Sequence, residues 1–191
     1  MQPFAEFLIA LGANLNSLAG TPEMTLRSAL NLFPEKGANV IAVSRFYRTP
    51  CFPPGAGPDY VNAAAVIGHN GDVPAVLAML HEIEAAFGRE RTCRWGQRTL
   101  DLDLIAAGDM IAPDRDAQTE WRCLPADQQT SRTPDKLILP HPRIQDRGFV
   151  LIPLADVAPD WRHPILGLTV AQMLAALPPA AHDEIVPLNA V

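Results

Sequence analysis

The order of the apolar segments along this chain limits its fold more than any other feature. Four segments are continuously apolar or alternate between apolar and polar residues, as β-strands do: 6–12, 39–48, 60–69 and 98–108. Two helical segments separate the first strand from the second and the third from the fourth. Each begins with an N-cap residue and an early proline, Thr21 with Pro22 and Asp72 with Pro74. The order βαββαβ predicts a ferredoxin-like α+β fold, with an antiparallel sheet and these helices on one side.

The remaining segments extend that predicted core. Residues 109–135 are polar, contain prolines and show no periodicity, so we expect an insertion or long loop there. A helical segment near 148–157 and a short helix capped by Thr169 are expected as C-terminal additions. A length of 191 residues suits one domain, and we expect residues 1–191 to form it.

Composition narrows the class of protein. Fifteen lysines and arginines against 21 acidic residues give a net charge of -6, which argues against broad nucleic-acid binding. The apolar runs are much shorter than a membrane span, and the first residues lack the layout of a signal peptide. Three widely spaced cysteines form neither a CxxC pair nor an even disulfide set. We therefore expect a cytoplasmic protein with reduced thiols and no nucleic-acid or membrane partner.

The stretch "RTLDLDLI" places two carboxylates on one face of the fourth strand. Asp101 and Asp103 alternate with leucines, so their Cα atoms lie about 6.6 Å apart on the same side. At a carboxylate separation near 5 Å, their repulsion is about 3 kcal/mol at an effective dielectric of 20. Four arginines precede the pair within a short loop: Arg89, Arg91, Arg94 and Arg98. Mg²⁺ takes one or two carboxylates together with substrate phosphates, which arginines also bind. The alternative is an exposed strand face with Asp–Arg ion pairs.

Two further clusters are less specific. In "LPHPRIQDRGF", His141 and Arg147 suit anion contacts and Phe149 offers a stacking surface, although a solvated basic loop with one core phenylalanine has the same sequence. At the start of the third strand, Tyr60 and Asn62 share a face on which a phenol and an amide can bind a flat heterocycle. Ordinary decoration of a strand edge is the alternative there.

The three clusters together resemble one enzyme family. "RWGQRTLDLDLI", "PHPRIQDRGFVLIPL" and "YRTPCFPPGAGPDYVNAA" resemble the hydroxymethyl-dihydropterin pyrophosphokinases of folate biosynthesis, and "IALGANL" resembles their opening strand. The resemblance runs from about residue 7 to 160, except for 109–135. It implies transfer of pyrophosphate from ATP to the hydroxymethyl group of 6-hydroxymethyl-7,8-dihydropterin, which leaves AMP. It also implies two Mg²⁺ ions as cofactors, with ATP and the pterin as the small-molecule partners of what we expect to be a monomer.

The resemblance also assigns roles to residues. It implies that Asp101 and Asp103 hold the metal ions and that Arg89 and Arg98 act in catalysis on the phosphates. The residues implied for the pterin pocket are Thr49, Pro50, Phe52, Tyr60, Asn62 and Phe149. The residues implied for ATP are His81, Glu84, Arg89, Trp95, Arg98, Leu104, His141 and Arg147. On a helical wheel we place Glu84 beside the apolar stripe of the second helix, with His81 on the same flank and therefore also near the sheet.

The chain departs from the family pattern at several positions. Gln97 stands where the family usually has a proline or a small residue, His81 stands in place of a common glutamine, and Pro142 follows His141 in place of an aromatic residue. The loop before the carboxylates is one residue short and lacks a lysine. These departures concern the ATP contacts more than the reaction. Two other functions stay open, a different Mg²⁺-dependent nucleotide enzyme and a non-catalytic binding module, because one fold supports many functions.

Overall fold

The computed structural model describes residues 5–51, 57–88, 99–125, 128, 132–179, 181 and 184–188. Its strands are β1 (Ala5–Ala13), β2 (Asn39–Val43), β3 (Tyr47–Thr49), β4 (Tyr60–His69), β5 (Asp101–Ala107) and β6 (Val186–Pro187). Its helices are α1 (Pro22–Glu35), α2 (Val73–Ala86), α3 (Arg115–Arg122), α4 (Gly148–Val157) and α5 (Val170–Ala175), with a 3₁₀ turn at Ile144–Asp146. The predicted βαββαβ order is therefore present, and α4 and α5 are the expected C-terminal additions.

The sheet has the order β5-β1-β4-β3-β6, with β2 also paired to β4, and its described strand pairs are antiparallel. The segment predicted as one strand over 39–48 is two strands separated by a break. Ser44 fills that break: its N–H donates to Ala64 O at 2.9 Å, and its hydroxyl accepts from Ala64 N at 2.8 Å. The serine side chain replaces a regular ladder bond, and β3 then pairs with the first three residues of β4.

The predicted helix starts are confirmed. The Thr21 hydroxyl accepts from Met24 N at 3.4 Å, and Asp72 Oδ1 accepts from Ala75 N at 3.0 Å. Thr169 forms a capping box with Gln172, in which each side chain accepts from the other residue's backbone N–H.

Residues 109–135 were predicted to be an insertion or long loop, and the long-loop alternative is wrong in part, because α3 lies within them. Asp114 caps this helix by accepting from Ala117 N at 2.8 Å. Within α3 the buried residue is the polar Gln118, which donates to Pro140 O at 3.2 Å. A helix that buries an amide leaves no hydrophobic periodicity in the sequence, so periodicity does not predict α3.

Helices cover both faces of the sheet. α1 and α2 lie on one face, as predicted, and pack against Phe7, Ile9 and Leu11 of β1. On the other face α4 and α5 pack against Leu8 of β1 and against β4. The register of β5 on β1 shifts between Leu8 and Ile9, so a bulge moves Ile105 to the second face. None of the described helices combines the length and the apolar character needed to cross a bilayer.

Candidate functional site

The carboxylate pair lies on the sheet face that α1 and α2 do not cover. Leu100, Leu102 and Leu104 are buried in the core beneath those helices. Asp101 and Asp103 alternate with them and are half-buried on the opposite side. Oδ1 of Asp101 is shielded from solvent. The predicted placement of both carboxylates on one face is therefore confirmed.

Strand register joins this pair to the third-strand cluster. Gly12 of β1 pairs with Asp101 on one side and with Asn62 on the other. Asn62 in turn pairs with Tyr47 of β3. Paired residues project to the same face, so these four positions form one row across the sheet. With strands about 4.8 Å apart, the row is about 14 Å long, which is enough for two adjoining ligand sites.

A glycine in the middle of that row lets the Asn62 amide lie across β1. A Cβ at position 12 would come within 2.9 Å of Asn62 Oδ1, so a side chain there would displace the amide. Asn62 Nδ2 donates to Thr49 Oγ1 at 2.6 Å, and both residues are buried. The Asn62 amide is therefore fixed in orientation, which suits recognition of a polar heterocycle.

A loop beside the edge of β5 adds cationic and neutral donors. The His141 N–H donates to Ile105 O at 2.8 Å, and its Nδ1 accepts from Arg143 N at 3.1 Å. Burial, together with the positive charge of Arg147, lowers the pKa of His141 to about 3. At neutral pH the ring is thus uncharged. Because Nδ1 is an acceptor, the proton is on Nε2, which is a donor.

Arg147 lies between the carboxylates and the aromatic surface. Burial lowers the pKa of Arg147 below its usual value, while Asp103 and Asp101 act in the opposite direction, which indicates that both carboxylates are near. The guanidinium carbon lies 5.6 Å from the centre of the Phe149 ring, a cation–π contact. Phe149 is 41% exposed. The arrangement can bind an anion next to the carboxylates and leaves an aromatic face open for stacking.

A comparison with protein families identifies the family of this chain. The family model for 7,8-dihydro-6-hydroxymethylpterin-pyrophosphokinase (HPPK) matches residues 8–159. The chain belongs to this family. The resemblance recognised in the sequence is thereby confirmed.

Several relatives agree with HPPK membership. A 2-amino-4-hydroxy-6-hydroxymethyldihydropteridine pyrophosphokinase of Synechocystis sp. is 38% identical over 138 residues, which are 72% of this chain and 60% of that protein. The proteins of the same name from Pseudomonas aeruginosa and Methylorubrum extorquens are 36% and 32% identical. Those matches cover 89% and 93% of this chain, and 90% and 96% of the two relatives. The chain thus spans 60% of the Synechocystis relative but most of the other two.

Solved structures show the same fold. An HPPK-DHPS structure in complex with substrates has a TM-score of 0.64 at 12% identity, over 92% of this chain and 43% of that chain. Plasmodium falciparum HPPK-DHPS with SDX-DHP has a TM-score of 0.60 at 13% identity, over 90% of this chain and 43% of that one. At these identities the likeness concerns the fold, and it confirms the predicted α+β class. This chain spans less than half of either protein.

Three residues expected to contact ATP in this HPPK chain lie away from the carboxylate face. Glu84 is buried on the sheet-facing side of α2. Its Oε1 accepts from Leu102 N at 2.7 Å, so it provides a hydrogen-bond partner for a backbone N–H at the edge of β5. The side chain of Leu104 lies in the core beneath the helices, so any contact with a ligand would have to come from its backbone. The sheet-facing position predicted for Glu84 is confirmed. The same prediction for His81 is wrong, because His81 is exposed. On the helical wheel His81 lies about 130° from the centre of the apolar stripe, whereas Glu84 lies about 70° from it.

The other expected site residues of this family member fall into two groups. Thr49 is buried, Tyr60 is half-buried and pairs with it, and Pro50 is exposed beside them. Four more lie outside the described residues: Phe52, Arg89, Trp95 and Arg98.

Two residues of the row, Gly12 and Tyr47, were not among the site residues predicted from the sequence. An isolated glycine within a strand signals a close approach, and Tyr47 shares strand parity with Thr49, so both signals were available.

A cavity of about 390 Å³ lies on the same face beside Val157 and Trp161, and it is lined by none of the expected site residues.

The carboxylate pair fits Mg²⁺ of the kind expected for an HPPK. No group of three or more His, Cys, Asp or Glu side chains that could hold a metal is found among the described residues. Asp101 and Asp103 would therefore supply only part of a coordination shell. Mg²⁺ commonly takes one or two carboxylates and completes its shell with water and substrate phosphates. The donor set thus suits a metal that arrives with a phosphate-bearing ligand.

Proposed function

We propose that this chain transfers pyrophosphate from ATP to the hydroxymethyl group of 6-hydroxymethyl-7,8-dihydropterin, giving the pterin diphosphate and AMP. One observation carries the proposal: Asp101 and Asn62 lie in one row of the sheet, joined by Gly12, and Asp103 lies beside Asp101 on the same face. A site for metal and phosphates and a site for a flat polar ring are therefore adjacent. A transfer between two bound substrates needs this adjacency, because holding them together removes most of the entropic barrier.

The pterin occupies the β3–β4 end of the row. The fixed Asn62 amide and the Tyr60 side chain hydrogen-bond its polar edge, and the exposed ring of Phe149 stacks on its face. The Thr49–Pro50 backbone lies beside them, and the family resemblance adds Phe52.

The triphosphate occupies the β5 end. Asp101 and Asp103 would hold two Mg²⁺ ions, which would neutralise phosphate charge and favour loss of the hydroxyl proton. Arg147 and the Nε2–H of His141 donate to phosphate oxygens. On the family resemblance we also assign Arg89, Arg98 and Trp95 to ATP. The pterin hydroxyl oxygen bonds to the β-phosphorus, the bond from that phosphorus to the α,β-bridging oxygen breaks, AMP leaves with that oxygen, and the hydroxyl proton passes to solvent.

We further propose that residues 1–191 act as one domain and as a monomer in the cytoplasm. Relatives that match this chain over most of both lengths support the first point. The insertion at 109–135 is then an addition to the edge of the domain that carries α3.

The deciding experiment measures AMP in the presence of ATP and Mg²⁺, with and without the reduced pterin. The proposal predicts that AMP forms only when the pterin is present. AMP and the pterin diphosphate should then form in equal amounts. Breakdown of ATP at the same rate without pterin would favour a hydrolase on the same fold. Tight pterin binding with no AMP would favour a binding module.

Replacement of Phe149 by alanine should raise the KM for the pterin about tenfold and change the KM for ATP less than about twofold. The stacking face is lost, whereas Arg147 and the carboxylates remain. Steady-state kinetics with each substrate varied in turn gives both constants. Leu168→Ala is the matched control, since Leu168 is 40% exposed and lies outside the site. An equal loss for both substrates would contradict the stacking role.

A further inference from the structure

Asp156, in the last turn of α4, is bonded to the residues that connect β2 and β3. Its Oδ2 accepts from the Arg45 backbone N–H at 3.1 Å, from Arg45 Nε at 3.0 Å and from the Tyr47 hydroxyl at 2.8 Å. Its Oδ1 accepts from Arg45 Nη2 at 2.7 Å. One carboxylate thus joins a helix to a backbone group, a guanidinium and a phenol of a single short segment.

The phenol bond is the part of this group that is shielded from water. The Arg45 side chain is 65% exposed, so its ion pair alone would contribute little. Tyr47, however, is buried, and burial followed by the bond to Asp156 raises the pKa of its phenol to about 12. Burial alone would raise the pKa of Asp156, but the bonds from Arg45 and Tyr47 lower it below its usual value. Asp156 is therefore ionised at neutral pH and holds the phenol in place as an acceptor.

The segment held by Asp156 leads into the row of the site. Arg45 lies in the break between β2 and β3, and Tyr47 begins β3 directly opposite Asn62. Two residues further on, Thr49 accepts the Asn62 amide hydrogen bond. A break in a strand leaves its direction poorly fixed by the ladder alone. The bonds to Asp156 supply that fixation at the first residue of β3.

The N-terminal end of α4 carries two other expected residues of the site. Arg147 precedes α4 and Phe149 is its second residue. The nine residue-to-residue steps from Arg147 to Asp156 rise about 13.5 Å as a helix. Three strand spacings, from β5 through β1 and β4 to β3, amount to about 14 Å. α4 is thus long enough to reach from the carboxylate edge to β3, and Asp156 is where it is tied to that strand.

We propose that Asp156 is a positioning residue, which acts through Arg45 and Tyr47 to fix Phe149 on α4 relative to Asn62 and Thr49. In this role Asp156 sets the distance between the Phe149 ring and the Asn62 and Thr49 side chains, between which the pterin ring lies. Asp156 itself does not touch the pterin. The inference rests on the proposed function, because it assigns a role in pterin binding to a contact remote from the phosphates.

Asp156→Asn tests this role, because it keeps the size of the side chain but removes its charge and half of its acceptor capacity. The KM for the pterin should rise about tenfold, while the KM for ATP should stay within about twofold. Tyr47→Phe, which removes only the phenol bond, should shift the same constant in the same direction by a smaller factor. Asp156→Glu, which keeps the carboxylate, should restore most of the pterin affinity. Fluorescence titration with 6-hydroxymethylpterin gives the affinity without turnover.

Glu82→Gln is the matched control, since it breaks the surface ion pair with Lys36, whose N–O distance of 2.8 Å is close to the 2.7 Å of the Arg45–Asp156 pair. It should leave both KM values unchanged. Equal losses for both substrates, or a lower melting temperature with unchanged KM values, would show a purely structural role and overturn the inference. If Asp156→Asn does not fold, Tyr47→Phe decides alone. A wild-type protein without pterin-dependent AMP formation would instead refute the proposed function.

Discussion

Asparagine in place of Asp101 or Asp103 should lower kcat about a thousandfold and leave the fold intact. Each variant removes one of the two anionic side chains that, in the proposed function, bind metal and face the phosphates. A thousandfold change corresponds to about 4 kcal/mol of transition-state stabilisation, which is of the size expected for metal-assisted charge neutralisation. In the absence of Mg²⁺ both variants should melt at the wild-type temperature or above it, because the repulsion between the carboxylates is relieved.

The measurements are pterin-dependent AMP formation and thermal unfolding with and without Mg²⁺. Asp109→Asn is a suitable control, because Asp109 is exposed just beyond β5 and should tolerate the change. Marked unfolding of both metal-free variants would show that the carboxylates serve structural ion pairs with residues such as Arg147. Turnover close to that of the wild type would refute the metal-binding role.

The alternation of apolar and polar residues along each strand made the residues at the two ends of the site predictable. Alternation along β5 placed Asp101 and Asp103 on one face, and alternation along β4 did the same for Tyr60 and Asn62. The relation between the two pairs was not predictable from alternation. It depends on the register of β1 with both neighbours, and this register brings Gly12 between Asp101 and Asn62. Pairing between residues far apart in the chain leaves no trace in the local pattern of either strand.

Features that rest on polar groups were also hidden. The break between β2 and β3 is held by the Ser44 hydroxyl, and α3 is held by the amide of Gln118. Both use hydrogen bonds where hydrophobic burial is the usual cause, so hydropathy predicted an unbroken strand and a loop. The role of Asp156 also depends on hydrogen bonds and not on hydrophobic burial. It could not be predicted from the local sequence, because its partners lie more than a hundred residues away along the chain.

His163 should make the protein sensitive to acid. It is fully buried in the segment that connects α4 and α5, and its Nδ1 accepts from the backbone N–H groups of Ile165 and Leu166 at 3.2 Å. Burial, with a smaller contribution from the positive charge of Arg122, lowers its pKa to about 4. The unfolded chain therefore binds a proton near pH 6.5, whereas the folded chain does not. The stability contributed by the neutral ring is present above pH 6.5 and is lost as the pH falls toward 4.

The loss should amount to about 3 kcal/mol in the free energy of unfolding between pH 7.5 and pH 4. His163→Asn removes the titration but keeps an acceptor for the same backbone groups, so its free energy of unfolding should fall less steeply with pH. Urea unfolding at a series of pH values measures the difference, to which His141 contributes equally in both proteins. His69→Asn is the matched control, because His69 Nδ1 also accepts from a backbone N–H two residues on, at 2.9 Å, but at the half-exposed end of β4. Parallel curves for His163→Asn and the wild type would show that His163 takes up its proton without unfolding the chain.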